Sequence, residues 1–149
     1  MAGDLQGEIL DFWKSNNMLP PGANATERSL QVVLTVRHQG KIVGVTSADF
    51  VRFHQLNDNL FYLFRMAVLP PFRVPGIESK LIVESRDVLE LYAQTQSANK
   101  CIGLLVFVEN PQLIAKRNEA IWSASKAVYI GSDKQGRHIR VCYFKGVTI

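Results

Sequence analysis

The sequence predicts an α+β fold built on a mixed, mostly antiparallel sheet flanked by helices. Three observations carry that expectation. A period of two runs through residues 30–52 and folds back at Gln39-Gly40, which is a hairpin pattern. Residues 60–109 then give an apolar strand, a long amphipathic segment and a second apolar run, the order of a crossover that sets two strands parallel. Two short strand-like runs, "AVYIGS" and "RHIRVCYF", flank the turn "DKQG" near the end of the chain.

Each element has its own justification. Asp4 can cap a first helix whose Leu5, Ile9, Phe12 and Trp13 share one face. "NNMLPPGAN" is a loop by composition. From Leu30, Val32, Leu34, Val36 and His38 alternate with Gln31, Val33, Thr35 and Arg37, and the return strand runs from about Lys41 to Arg52. After a polar turn near "HQLNDN", a third strand spans Leu60 to Leu69. Ile77, Leu81, Val88 and Tyr92, with Ile82 and Leu89, mark a long helix to about Ser97. "CIGLLVFVE" is the continuous apolar run of a strand covered on both faces. Asn110-Pro111 introduces a helix along Leu113, Ile114, Ala120, Ile121 and Ala124. With no repeat, low-complexity tract or boundary, residues 1–149 are expected to form a single domain.

Composition narrows the function classes. Apolar residues make up 47% and charged residues 20%, the balance of a globular chain. No apolar run reaches the ~20 residues that span a bilayer, and "MAGDLQGEILDFW" has no secretory pattern, so a cytoplasmic protein without a membrane partner is expected. Cys101 and Cys142 lie in apolar runs without metal-ligand spacing, which points to buried thiols and to no metal. The net charge of +4 permits an anionic partner. Basic residues are scattered and no aromatic-basic motif appears, so nucleic acid is not expected.

The stretch "VLPPFRVPGIESKL" joins the third strand to the long helix. The first turn of a helix has N–H groups without intrahelical partners, and its dipole favours anions. Gly76 allows close backbone approach or positive φ, and Arg73 adds a permanent cation. Together they form a plausible diphosphate cradle.

"FRMAVLPPFRVPGIESKLI" resembles the acetyl-CoA signature of the Gcn5-related N-acetyltransferases, in which R/Q-x-x-G-x-G/A opens a long helix. Arg73, Val74, Pro75, Gly76, Ile77 and Glu78 occupy those six positions. "CIGLLVFVEN", the following helix and the closing strands are similar to the family's next elements, so the resemblance covers about Leu30 to Lys145. It implies a sheet splayed between the strand before the motif and the strand after the long helix. It also implies acetyl-CoA as co-substrate, with a pantetheine arm against the backbone of Met66, Ala67 and Val68. Amides around Arg73, Val74, Gly76, Ile77, Glu78 and Ser79 would then meet the diphosphate, with Asn110 near the cofactor arm.

The activity implied is acetyl transfer to a primary amine of a small molecule or peptide by direct attack, with a base for the amine and an acid for the leaving thiolate. An amide near Val68 would hold the oxyanion. Glu109, at the end of the buried strand, is the first candidate base, with Asp49 and His54 as alternatives. The tyrosine that often serves as acid in the family is replaced here by Ala124 or Ser125, leaving Ser123, Ser125 or Tyr129 as substitutes. Glu78 stands where the motif has Gly or Ala, and Pro75 offers no N–H. These departures leave an alternative open: a catalytically inactive binding or interaction module on the same fold, with weak or no CoA binding. Arg117 is a further candidate for a cofactor phosphate, and a homodimer is compatible with either reading.

Overall fold

The hairpin, the crossover and the closing strands all form, and they join in one sheet. The computed structural model describes residues 3–95, 100–109 and 111–147. In chain order the elements are helices α1 (Gly3–Ser15) and α2 (Ala25–Ser29), strands β1 (Val32–His38), β2 (Lys41–Phe53) and β3 (Asn59–Val68), and helix α3 (Ile77–Gln94). Strand β4 (Gly103–Val108), helix α4 (Pro111–Lys116) and strands β5 (Val128–Ser132) and β6 (His138–Tyr143) follow. The strand order is β1-β2-β3-β4-β6-β5. Neighbours are antiparallel except β3 and β4, which the α3 crossover makes parallel.

Side-chain alternation divides the core between the two faces. Tyr62, Phe64, Leu104 and Val106 pack against Ile82, Leu89 and Ala93 of α3 and against Trp122. On the other face α1 lays Ile9, Phe12 and Trp13 over Val45 and Ala67. Farther along that face, Phe61 and Leu105 join Ile139 and Val141.

Four expectations are corrected. Asp4 falls inside α1, which runs from Gly3, and its side chain lies outside the described residues. β1 starts at Val32, since Leu30 closes the unforeseen helix α2, which Asn24 caps by accepting the Glu27 N–H at 3.0 Å. Val88 and Tyr92 are exposed; the buried stripe of α3 keeps Leu81, Ile82 and Leu89 and adds Ser79, Ser85 and Ala93. Ser85 can lie there because its hydroxyl meets that of Thr46 at 3.0 Å, with both residues fully buried.

The fourth correction concerns α4, which ends at Lys116. The buried guanidinium of Arg140 in β6 donates to the carbonyls of Glu119 (2.7 Å), Ala127 (3.1 Å) and Arg117 (3.2 Å). Carbonyls held by a distant side chain are not free to extend a helix ladder. Residues 117–127 therefore cross α3 as an irregular segment, pinned again where Arg86 Nη1 donates to the Ser125 carbonyl at 2.8 Å.

Candidate functional site

The parallel ladder between β3 and β4 is short. Its register covers Tyr62↔Leu104, Leu63↔Leu105 and Phe64↔Val106, whereas β3 stays paired with β2 as far as Val68↔Gly44. Beyond Phe64 the two strands diverge and β3 has an open edge. The Leu69 N–H bonds the Val43 carbonyl at 2.9 Å, and the Ile102 N–H bonds the Leu60 carbonyl at 3.0 Å. By strand alternation, odd residues of β3 thus face β2 and even residues face β4. Met66 and Val68 turn their peptide groups into the opening. Ala67, grouped with them in the sequence reading, turns its own toward Val45.

The loop after β3 leads from this opening to the α3 N-terminus. A 3₁₀ turn at Pro70–Phe72 redirects the chain, and Arg73 folds back so that its Nε donates to the Val68 carbonyl at 2.8 Å. Gly76 caps α3 at φ +86°, a conformation that penalises residues with a Cβ. The Arg73 N–H is taken by the Pro70 carbonyl and the Ile77 N–H by the Val74 carbonyl. Among the described residues, the N–H groups of Val74, Gly76, Glu78 and Ser79 have no recorded partner. A Cβ added to Gly76 would meet nothing within 4 Å, so the space beside these donors is open. They form an anion-binding set at the positive end of a helix dipole.

The carboxylate of Glu78 would repel an anion there if it stood alone, but it is paired. Arg117 Nη1 lies 2.7 Å from Glu78 Oε1, and Arg117 Nη2 donates to Ser79 Oγ at 3.3 Å. The two side chains are 24% and 18% exposed, so the pair is shielded enough to count for more than a surface ion pair. Arg117 also lies over the Trp122 ring at 4.9 Å, and Arg140 lies over the same ring at 4.2 Å. Burial lowers the Arg140 guanidinium from its usual value, the main influence on it. Trp122, itself fully buried, donates its indole N–H to the Arg117 carbonyl at 2.8 Å.

The three candidate catalytic side chains are not brought together. Glu109 is exposed at the end of β4, with its Oε1 3.3 Å from Arg137 Nη1. Arg137 also covers the Phe107 ring at 4.8 Å, which places Glu109 on the face opposite α3. Ser125 is fully buried, and its Oγ accepts the Ala127 N–H at 3.3 Å. Tyr129 lies on β5, two strand spacings or about 10 Å from β4, with its hydroxyl 3.0 Å from Ser132 Oγ. His54 pairs with Asp58 at 2.7 Å in the turn at the far end of β3. Asn110 lies outside the described residues. Burial pushes the thiols of Cys101 up to about 12 and Cys142 up to about 11, so both remain protonated at neutral pH and neither is an activated nucleophile.

A second basic group, which scattered charges had hidden in the sequence, borders the opening on the α1 side. Arg65 is the first β3 residue beyond the last β3–β4 pair, and its Cα partner in β2 is Ser47. Arg28 of α2 lies 6.0 Å above the Trp13 ring. Burial lowers the Arg28 guanidinium, nearby Arg65 adds to the effect, and Asp49 opposes it. The Arg28 Nε is buried without a partner. Among the described residues no group of His, Cys, Asp or Glu could hold a metal, and no helix is long and apolar enough to cross a membrane. A depression of about 300 Å³ lined by Glu90, Cys101, Phe144 and Lys145 lies at the other end of α3 and shares no residue with the opening.

No protein-family model matches the sequence, and no curated protein matches it significantly. Solved structures do match. An acetyltransferase of the GNAT family from Streptococcus pneumoniae superposes with a TM-score of 0.60 at 11% identity, covering 93% of this chain and 91% of that one. Arabidopsis thaliana Naa50, in complex with the bisubstrate analogue CoA-Ac-MVNAL, gives 0.53 at 14% identity over 97% and 95%. The NatB acetyltransferase complex bound to CoA and MES gives 0.54 at 14% identity over 91% and 92%. The fold is that of the Gcn5-related N-acetyltransferases, as the loop motif implied.

Proposed function

We propose that a chain with this fold and this opening binds acetyl-CoA between β3 and β4 and transfers the acetyl group to a primary amine by direct attack. One observation carries the reading: the unpaired peptide group of Met66 and the Val68 N–H meet the free N–H groups of Val74, Gly76, Glu78 and Ser79 across one short loop. Two of the similar structures hold CoA or a CoA-containing analogue. The residues fit the cofactor. The α3 end offers donors and a positive dipole to a diphosphate, the flank of Gly76 is open, and Arg117 neutralises Glu78.

Acetyl-CoA, when bound, supplies the acetyl group as an activated thioester. Met66 can bond an extended amide-bearing arm as an added strand would be bonded. The Val68 N–H is a donor for an oxygen that gains negative charge. Glu109, on the face opposite α3, is our candidate to take a proton from the amine through water.

Calorimetric titration with acetyl-CoA tests the binding step, with a Kd in the micromolar range or tighter expected. Arg117→Gln strands the Glu78 charge beside the diphosphate and is expected to weaken binding about tenfold, about 1.4 kcal/mol. Glu78→Gln added to it should restore the affinity. No heat at about 1 mM ligand, or an unaffected Arg117→Gln, would count against the site. Thiol release with a panel of primary amines tests the chemistry. Glu109→Gln is expected to lower kcat at least about 100-fold with little change in the acetyl-CoA KM; an unchanged rate removes Glu109 from the mechanism. The separation of Glu109, Ser125 and Tyr129 favours a second reading, a module that binds CoA without turnover. Binding heat with no thiol release from any amine would select it.

A further inference from the structure

The opening between β3 and β4 connects the two faces of the sheet, and the faces differ in access. On the α3 side, Trp122, Met66 and Ile114 belong to one packed cluster with Val106 and Val108. An acceptor therefore has to approach from the α1 and α2 side, where Arg65 stands at the apex of the divergence. No hydrogen bond or ion pair to the Arg65 side chain is formed among the described residues, and the buried Nε of Arg28 also lacks a partner. The Ala48 N–H bonds the Gln31 carbonyl at 2.9 Å, which ties the chain just after α2 to β2 beside Ser47, the partner of Arg65. The backbone ties therefore bring Arg28 and Arg65 within side-chain reach of one another on the same side of the sheet, close enough for each charge to act on the other.

We infer that Arg28 and Arg65 hold a carboxylate of the acceptor, which makes the acceptor a small amino-monocarboxylate. The inference rests on the acetyltransferase reading of the same opening. Paired N–H groups of a guanidinium match a carboxylate in shape and charge. Asp49 lies two residues along β2 from Ser47, the partner of Arg65, and so on the same face; the three charges leave one positive charge in excess, which suits a monoanion better than a phosphate dianion. A carboxylate bound at Arg65 leaves the other end of a short molecule facing Met66 and Val68, where the amine is needed.

The test uses the Nε–Hε resonances of arginine in ¹⁵N-labelled protein, titrated with β-alanine, β-alaninamide and O-phosphoethanolamine. β-Alanine should produce saturable shifts of the Arg28 and Arg65 resonances. The amide, identical but for the charge, should produce none. Arg65→Gln should weaken the β-alanine effect on Arg28 about tenfold, the loss of one charge-assisted contact, and leave acetyl-CoA affinity unchanged. Absence of a saturable shift, equal shifts with the amide, or tighter binding of O-phosphoethanolamine would overturn the inference. Calorimetry with acetyl-CoA keeps the two ideas apart. Acetyl-CoA binding without any β-alanine response removes the carboxylate site alone. A β-alanine response without acetyl-CoA binding removes the acetyltransferase reading and leaves the carboxylate site standing.

Discussion

Gly76→Trp is expected to abolish acetyl-CoA binding while the protein stays folded. The space beside Gly76 is open, so an indole can enter it without a clash, and it would then fill the volume next to the Val74, Gly76, Glu78 and Ser79 N–H groups. The backbone contribution must be separated from the steric one. At φ +86° any L-residue is strained by about 1–2 kcal/mol. Gly76→Ala carries the same strain without the bulk, and it should lose that much stability while still binding the cofactor. Calorimetry and thermal melting on both variants decide the matter. If the Trp variant binds acetyl-CoA as tightly as the parent, the diphosphate does not lie at this helix end.

The second large effect is on stability. Arg140→Ala removes the donor of the Glu119 carbonyl and one of two donors to each of the Arg117, Ala120 and Ala127 carbonyls, and it uncovers one face of Trp122. A buried carbonyl left without a partner costs about 1–3 kcal/mol, and water entering the gap recovers part of that. A net loss of about 3 kcal/mol is expected in urea denaturation, with the melting temperature lower by about 10 °C. Near-ultraviolet dichroism should register the freed indole. Arg140→Lys should fall in between, because an ammonium cannot reach several divergent carbonyls as a guanidinium does. A loss below about 1 kcal/mol would show that the segment is held by its apolar contacts instead.

The same arginine explains where the sequence could and could not be read. Periodicity exposed the hairpin, the crossover and the closing strands, since each is a local pattern tied to one buried face. The end of α4 was not readable, because what stops the helix lies more than twenty positions away in β6. Helix α3 was placed correctly along the chain, but its buried face was assigned partly to Val88 and Tyr92. Ser79 and Ser85 give no apolar signal for that face, and the partners of their hydroxyls, Arg117 and Thr46, meet them only in the fold. At the site, Gly76 and the loop were legible from the motif. The charge of Glu78 could not be judged without Arg117, its partner 39 residues on. Arg28 and Arg65 carried no sequence signal, since 37 positions separate them in the chain.

The Thr46–Ser85 pair has a consequence for how the loop can vary. A helix held to a sheet only by oily side chains can slide or rotate at little cost, since one methyl replaces another. Two hydroxyls buried in such an interface act as a locating pin. A slip of one turn, about 5.4 Å, would leave the Ser85 hydroxyl unpaired at about 1–3 kcal/mol, and the Thr46 hydroxyl with only the Leu34 N–H that it accepts at 3.0 Å. The start of α3 is thereby kept at a set height above the end of β3, whatever joins them. Residues inserted between Leu69 and Gly76 would leave the helix in its place, so the spacing that the connection spans does not depend on its length, although the donors it carries at Val74 and Gly76 do.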